Sequence, residues 1–82
     1  MSIFPEQCKA ARALIGWSRR HLAEASQVSE RTLIDFERSA RTSHRRTLVD
    51  LRRALEEAGI IFIDQNDDAG PGVRLKDPIW DN

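Results

Sequence analysis

The feature that most constrains this chain is a pair of short amphipathic segments, between Arg19 and Phe36, that meet at a tight turn. Apolar residues recur at helical spacing in both, with Leu22 in the first and Leu33 and Phe36 in the second. This spacing gives each segment one apolar face, so we expect two helices packed together through those faces. The opposite face of the second helix is then polar and available for binding.

Capping and helix-breaking residues extend this pattern to four helices followed by a β-hairpin. Pro5 favours the start of a first helix and Gly16 its end, whereas serines favour the starts of the other three. The predicted caps are Ser18 (helix to about Ser26), Ser29 (to about Arg38) and Ser43 (to Gly59). Two short apolar segments, at 60–63 and 73–76, flank a polar loop and predict the strands of the hairpin.

Composition limits the possible functions. The chain has 82 residues and one cysteine, which excludes an internal disulfide. Cys8 lies in a helical apolar pattern, so we interpret it as a small buried residue rather than a nucleophile. No apolar stretch approaches the roughly 20 residues of a membrane span, and no signal peptide is visible. We therefore expect a cytoplasmic, nucleoid-associated protein with no membrane partner.

The net charge of zero conceals an asymmetry along the chain. Residues 1–59 hold eleven Lys/Arg against eight Asp/Glu, a net of +3, and residues 60–82 hold two against five, a net of −3. Such a division indicates a basic body with an acidic tail. Almost all the cations are arginines, which suit phosphate and guanine edges, although a GC-rich genome would produce the same bias. A helix that is buried behind and polar in front suits the DNA major groove.

The register of three segments resembles the Xre/Cro, phage-repressor-like helix-turn-helix family, in its small single-domain bacterial form. These segments are Ala11–Ser18, Leu22–Ala25 and Arg31–Arg38, and the resemblance covers about residues 7–58. It implies a four-helix lambda-repressor-like bundle at 1–59, followed by the hairpin and tail at 60–82. Members of the family bind operator DNA, usually as dimers. The sequence departs from the family at Gln27, which replaces the usual turn glycine, at His21 and at Ala40.

The resemblance also implies roles for individual residues. Glu30, Arg31 and Asp35 match positions that reach base edges, and Arg12 and Glu37 match an ion pair that joins the first and third helices. An arginine can donate two hydrogen bonds to guanine, whereas the alternatives for Arg31 are a phosphate contact or a solvated side chain. Glu30 can accept from cytosine or interact with the helix dipole, and Asp35 can orient Arg31 four residues earlier.

Phosphate contacts are expected from helix starts and from basic residues near them. Helix N-termini favour anions, and the basic residues that open the fourth helix oppose its dipole unless an anion lies there. The alternative is a solvated run of charges. The expected contacts are Ser18, Arg19, Ser29, Thr32, Arg41, His44, Arg45 and Arg46.

The hairpin is the expected dimerisation element. An isolated two-stranded hairpin is marginally stable, so it must pack on the helices or pair with another chain. Pairing with a symmetry-related copy predicts an interface that includes Ile61, Ile63, Val73 and Leu75.

No catalytic or metal-ligand spacing is present. The acidic loop with Asp64, Asn66 and Asp68 fits a calcium loop poorly, because Gly70 is one position late and Leu75 stands where the bidentate glutamate belongs. We expect no cofactor, no metal and no enzyme activity. The predicted function is a homodimeric, sequence-specific regulator that binds an inverted repeat in double-stranded DNA and can contact RNA polymerase. The alternative is a protein-interaction module, such as an antitoxin that binds a toxin or an anti-activator, with secondary or no DNA binding.

Overall fold

The computed structural model describes residues 3–39 and 43–80. In this part of the chain, four helices precede a two-stranded antiparallel sheet. They are α1 (Pro5–Ile15), α2 (Arg19–Ser26), α3 (Glu30–Glu37) and α4 (Arg45–Glu57), with strands β1 (Ile60–Ile63) and β2 (Gly72–Leu75). The prediction of a mainly α chain with a C-terminal hairpin is confirmed, and most element boundaries agree within one residue.

The helix ends follow the residues expected to cap and break them. Gly16 ends α1 in the left-handed conformation, with φ 69°, which a glycine adopts without steric cost. Gln27 ends α2 in the same conformation, with φ 60°. The chain therefore tolerates a strained backbone at the turn instead of avoiding it, at a cost of roughly 1–2 kcal/mol relative to a relaxed residue.

The start of α4 corrects one prediction. Its N-cap is His44 rather than Ser43, and the His44 side chain makes no capping hydrogen bond. Ser43 lies one position too early for its hydroxyl to serve as the N-cap. The first turn of α4 consequently depends on other groups to satisfy its amides.

The buried core is shared by the helices and the hairpin. Leu22, Leu33, Leu51 and Leu55 are completely buried, and Trp17 is half-buried against this core. The other buried apolar residues are Ile3, Cys8, Ala11, Ala23, Val28, Phe36, Ala54, Ile60 and Phe62. Because the core residues come from both sides of Gly59, the hairpin and the helices share one apolar core.

The hairpin packs on the helices through one face. Its register pairs Ile60 with Leu75 and Phe62 with Val73, and Ile60 and Phe62 are buried while Ile61 is exposed. The alternation follows from the two-residue period of a strand. Burial on α1 and α4 gives the hairpin the support that two isolated strands lack.

One buried polar side chain, Gln7 on α1, fastens the hairpin in place. Its Nε2 donates hydrogen bonds to the carbonyl oxygens of Ile63, at 3.2 Å, and Gly72, at 3.0 Å. Its Oε1 accepts a hydrogen bond from the backbone N–H of Phe4 at 2.9 Å. The side chain therefore joins the start of α1 to the loop end of the hairpin, where Ile63 pairs with Gly72, a role that the sequence pattern did not reveal.

Candidate nucleic-acid interface

The third helix presents a polar front because its rear is fixed in the core. Leu33 and Phe36 are buried, whereas Glu30 and Arg31 are exposed. The hydroxyl of Ser29 accepts a hydrogen bond from the N–H of Thr32 at 3.1 Å and donates one to the Thr32 hydroxyl at 2.8 Å. This capping fixes the first turn of α3 and directs the Ser29 hydroxyl proton to Thr32, which leaves the Thr32 hydroxyl able to donate to a ligand.

Arg31, one of the residues expected to read base edges, is strongly exposed to solvent. Its side chain is 80% exposed, and its Nε lies 3.5 Å from Oδ1 of Asp35, whose side chain is only 14% exposed. The spacing of four residues along a helix brings the two charges together. The predicted orienting pair is therefore present, and the covered position of Asp35 suits orientation of Arg31 better than direct contact with a base.

The start of α2 carries two residues expected to bind phosphate. Ser18 caps the helix, and its hydroxyl accepts a hydrogen bond from the N–H of His21 at 3.0 Å. Arg19 is half-buried and donates from Nε to Oε1 of Glu37 at 2.9 Å. One of the donors of this predicted phosphate contact is therefore committed inside the protein.

Glu37 on α3 forms ion pairs with Arg12 on α1 and Arg19 on α2, a cluster that we call the junction. Its buried carboxylate accepts from Arg12 Nε at 2.8 Å and from Arg12 Nη2 at 2.7 Å, in a bidentate arrangement. The ion pair expected between α1 and α3 is thus present, and Arg12 Nη1 also donates to the carbonyl of Trp17 at 3.1 Å. Arg19 from α2 adds a second cation, which the sequence pattern did not predict.

The carboxyl of Glu37 stays ionised because its partners outweigh its burial. Burial alone would raise its pKa, but hydrogen bonds from Arg12, Cys8 and Arg19 hold the pKa below its usual value. Charge-assisted bidentate pairs of this kind are among the stronger interactions in proteins. The junction therefore remains a fixed negative charge between two guanidinium groups at neutral pH.

Cys8 is buried as predicted, but it also has a polar partner. Its Sγ lies 3.1 Å from Glu37 Oε2, to which the thiol donates. Burial, reinforced by this hydrogen bond to a carboxylate, raises the pKa of the Cys8 thiol far above its ordinary value. Because the thiolate is the reactive form, this cysteine is suited to a structural role.

The basic residues at the start of α4 are displayed to solvent. His44, Arg45 and Arg46 are all exposed, and Arg46 Nε lies 3.7 Å from Asp50 Oδ2 on the next turn. Such an exposed pair contributes at most about 1 kcal/mol, so it leaves Arg46 able to exchange partners. Arg41, expected to contribute another phosphate contact, lies outside the described residues, as does most of the loop before Ser43.

The hairpin divides the four residues expected at a dimer interface. Ile61 and Ile63 point outward and are exposed, whereas Val73 and Leu75 are half-buried and pack against the core of their own chain. The four residues therefore do not form one surface, because neighbouring positions along a strand face opposite ways. A second copy can contact Ile61 and Ile63 without disturbing the core.

Other features bear on the functional class. Across 3–39 and 43–80, no three His, Cys, Asp or Glu side chains are grouped so that they could hold a metal ion. Within the same ranges, no helix is both long enough and apolar enough to cross a bilayer. Comparison with the models of known protein families and with curated proteins finds no match to this chain.

Proposed function

We propose that this chain is a sequence-specific, double-stranded DNA-binding regulator of transcription, of the helix-turn-helix Xre/Cro kind. In this proposal α2 and α3 are the two helices of the motif, joined through Gln27, Val28 and Ser29. The observation that carries the proposal is the exposed guanidinium of Arg31 on a helix whose opposite side is buried. A rigid helix with a polar front can enter the major groove and place that group against base edges.

Affinity and specificity have different sources in this proposal. Arg31 reads a guanine, with Asp35 holding its guanidinium and Glu30 beside it at the start of α3. Phosphate contacts come from the start of α2, from the hydroxyls at the start of α3 and from the exposed basic residues at the start of α4. The phosphate contacts give affinity for any duplex, whereas the base contacts distinguish one sequence from another.

The proposed assembly is a homodimer. Two copies would place two α3 helices in successive major grooves, roughly 34 Å apart on an inverted repeat. The outward face of the hairpin, with Ile61 and Ile63 exposed, is the surface that supports this assembly. Because no effector-binding element is proposed, occupancy of the operator would be set by the concentration of the protein. The bound dimer would either block RNA polymerase or contact it.

Selection from a random pool of DNA duplexes tests the proposal. The wild-type chain should enrich one inverted repeat, and Arg31→Ala should lose discrimination at one base pair of each half-site by about 1–3 kcal/mol. Arg53→Ala is the matched control, since it removes one exposed arginine from α4 that is paired with Glu57. The control should enrich the wild-type sequence. Failure of the wild-type chain to enrich any sequence would refute the proposal.

A second candidate function is a protein-interaction module such as an antitoxin. It is favoured by one observation: Ile79 and Trp80 are large apolar residues near the end of an acidic tail, and the Trp80 side chain is almost fully exposed. Exposed aromatic residues of this kind are frequent at the centres of protein interfaces. Trp80→Ala distinguishes the two functions, because it should leave enrichment of the operator unchanged while weakening any complex with a protein partner.

A further inference from the structure

The carboxylate of Glu37 fixes the orientation of the Arg19 guanidinium. Glu37 Oε1 accepts from both Arg12 Nη2, at 2.7 Å, and Arg19 Nε, at 2.9 Å. One carboxylate thus meets two guanidinium groups, and the junction carries a net charge of +1. The excess positive charge is located where α1, α2 and α3 meet.

The two arginines differ in what they leave available. Arg12 is largely covered, with 16% of its side chain exposed, and its Nε, Nη1 and Nη2 all donate to protein oxygens. The Arg19 side chain is 41% exposed, and within the described residues the one donor it commits is Nε. Its Nη1 and Nη2 are therefore the groups through which the excess charge can meet an anion.

We propose that Glu37 is a positioning residue that holds Arg19 by its Nε so that Nη1 and Nη2 form a fixed clamp for a DNA phosphate. The inference rests on the proposed function, and it assigns to a buried carboxylate a part in binding DNA. An arginine that is held in advance loses less side-chain entropy when it meets a phosphate than a freely rotating one does. Glu37 is negative, yet it favours binding of an anion because of how it orients its neighbour.

This proposal makes a prediction that charge alone does not make. A lysine at position 19 keeps the charge but has a single ammonium, which cannot donate to Glu37 and present a planar pair of donors to phosphate. Arg20 on the same helix turn provides the matched control, since its pair with Glu24 is 3.8 Å long and exposed on both sides. Replacement of Arg20 by lysine should therefore change little.

The test measures binding of a fluorescent random-sequence duplex by anisotropy at fixed salt, with folding checked by circular dichroism. Arg19→Lys should weaken binding about ten-fold, the size of one charge-assisted hydrogen bond, while Arg20→Lys stays within about two-fold of wild type. Equal affinity of Arg19→Lys and the wild-type chain would overturn the positioning role. Absence of binding by the wild-type chain would overturn the proposed function, which is a separate result.

A double-mutant cycle separates positioning from support of the fold. Arg19→Ala, which removes the charge as well as the donors, should weaken duplex binding in the wild-type background by more than about ten-fold, and by clearly less in a Glu37→Gln background at a temperature where both are folded. A purely structural role of Glu37 predicts the same loss in both backgrounds, which would contradict the proposal. If Glu37→Gln does not fold, the comparison of Arg19→Lys with Arg20→Lys decides the question.

Discussion

Replacement of Glu37 by glutamine should destabilise the whole chain far more than its small change in size suggests. Glutamine has one acceptor oxygen, and its amide places donors towards groups that also donate, the guanidinium of Arg12 and the thiol of Cys8. Removal of one partner from a buried ion pair costs about 3–5 kcal/mol. Because Arg12 and Arg19 retain some contact with water, we expect the lower end, about 3 kcal/mol.

This loss is large for a domain of this size. At roughly 0.05–0.15 kcal/mol per residue, a chain of 82 residues has a total stability of about 4–12 kcal/mol. With a shift of about 4–8 °C for each kcal/mol, the melting temperature of Glu37→Gln should fall by about 12–24 °C. Thermal and urea unfolding, followed by circular dichroism, measure both quantities.

The control and the pH dependence make the reasoning refutable. Glu24→Gln removes a carboxylate from an exposed pair with Arg20 and should change stability by less than about 0.5 kcal/mol. The folded pKa of Glu37 is lowered, so its contribution is present above the ordinary glutamate pKa of about 4.3 and is lost as pH falls through the folded value. The stability difference between wild type and Glu37→Gln should therefore shrink in acid. A loss as small as the control's, at neutral pH, would refute the account of the junction.

Three further predictions concern the hairpin anchor, the turn and the thiol. Gln7→Leu should cost about 1–3 kcal/mol, because two carbonyls lose their donor, and hydrogen exchange should show the strands opening more often than α3; unchanged exchange would contradict the anchor. Gln27→Gly should stabilise the chain by about 1 kcal/mol, measured by urea unfolding, by relieving the left-handed backbone; destabilisation would exclude that strain. Cys8 should react with a thiol reagent only at the rate of unfolding, monitored by absorbance, and fast reaction of the folded chain would show that the thiol is accessible.

The local elements could be predicted because their signals are local. The apolar spacing around Leu22 and Leu33, the caps Ser18 and Ser29, and Gly16 each act within one or two helical turns, and the structure places them as expected. The two strands after Gly59 were equally readable, the first from the apolar run at 60–63 and the second from the alternation at 73–76. The predicted cap Ser43 was wrong by one position, because the N-cap of α4 is His44 although serine is the preferred residue there. The local capping preference alone therefore does not set the start of α4.

Contacts between distant segments could not be predicted in the same way. Gln7 reads as an ordinary polar helix residue until the hairpin is known to lie beside it, and Cys8 reads as apolar until Glu37 is placed against its thiol. The ion pair of Arg12 with Glu37 was predicted only through a family resemblance, which gave Arg19 a phosphate contact but no bond to Glu37. These interactions depend on how the helices and the hairpin pack against one another. The spacing of residues along the chain does not specify that packing.

The anchor formed by Gln7 has a consequence for the order in which the chain can fold during synthesis. Its two acceptors lie 56 and 65 residues further along the sequence. When a ribosome has released only the helical region, that amide has neither acceptor and Ile60 and Phe62 are missing from the core. Although α1 is synthesised before the other helices, it can make all its native contacts only after the hairpin has been synthesised. A nascent chain halted before Gly72 should therefore remain incompletely folded and accessible to chaperones and proteases.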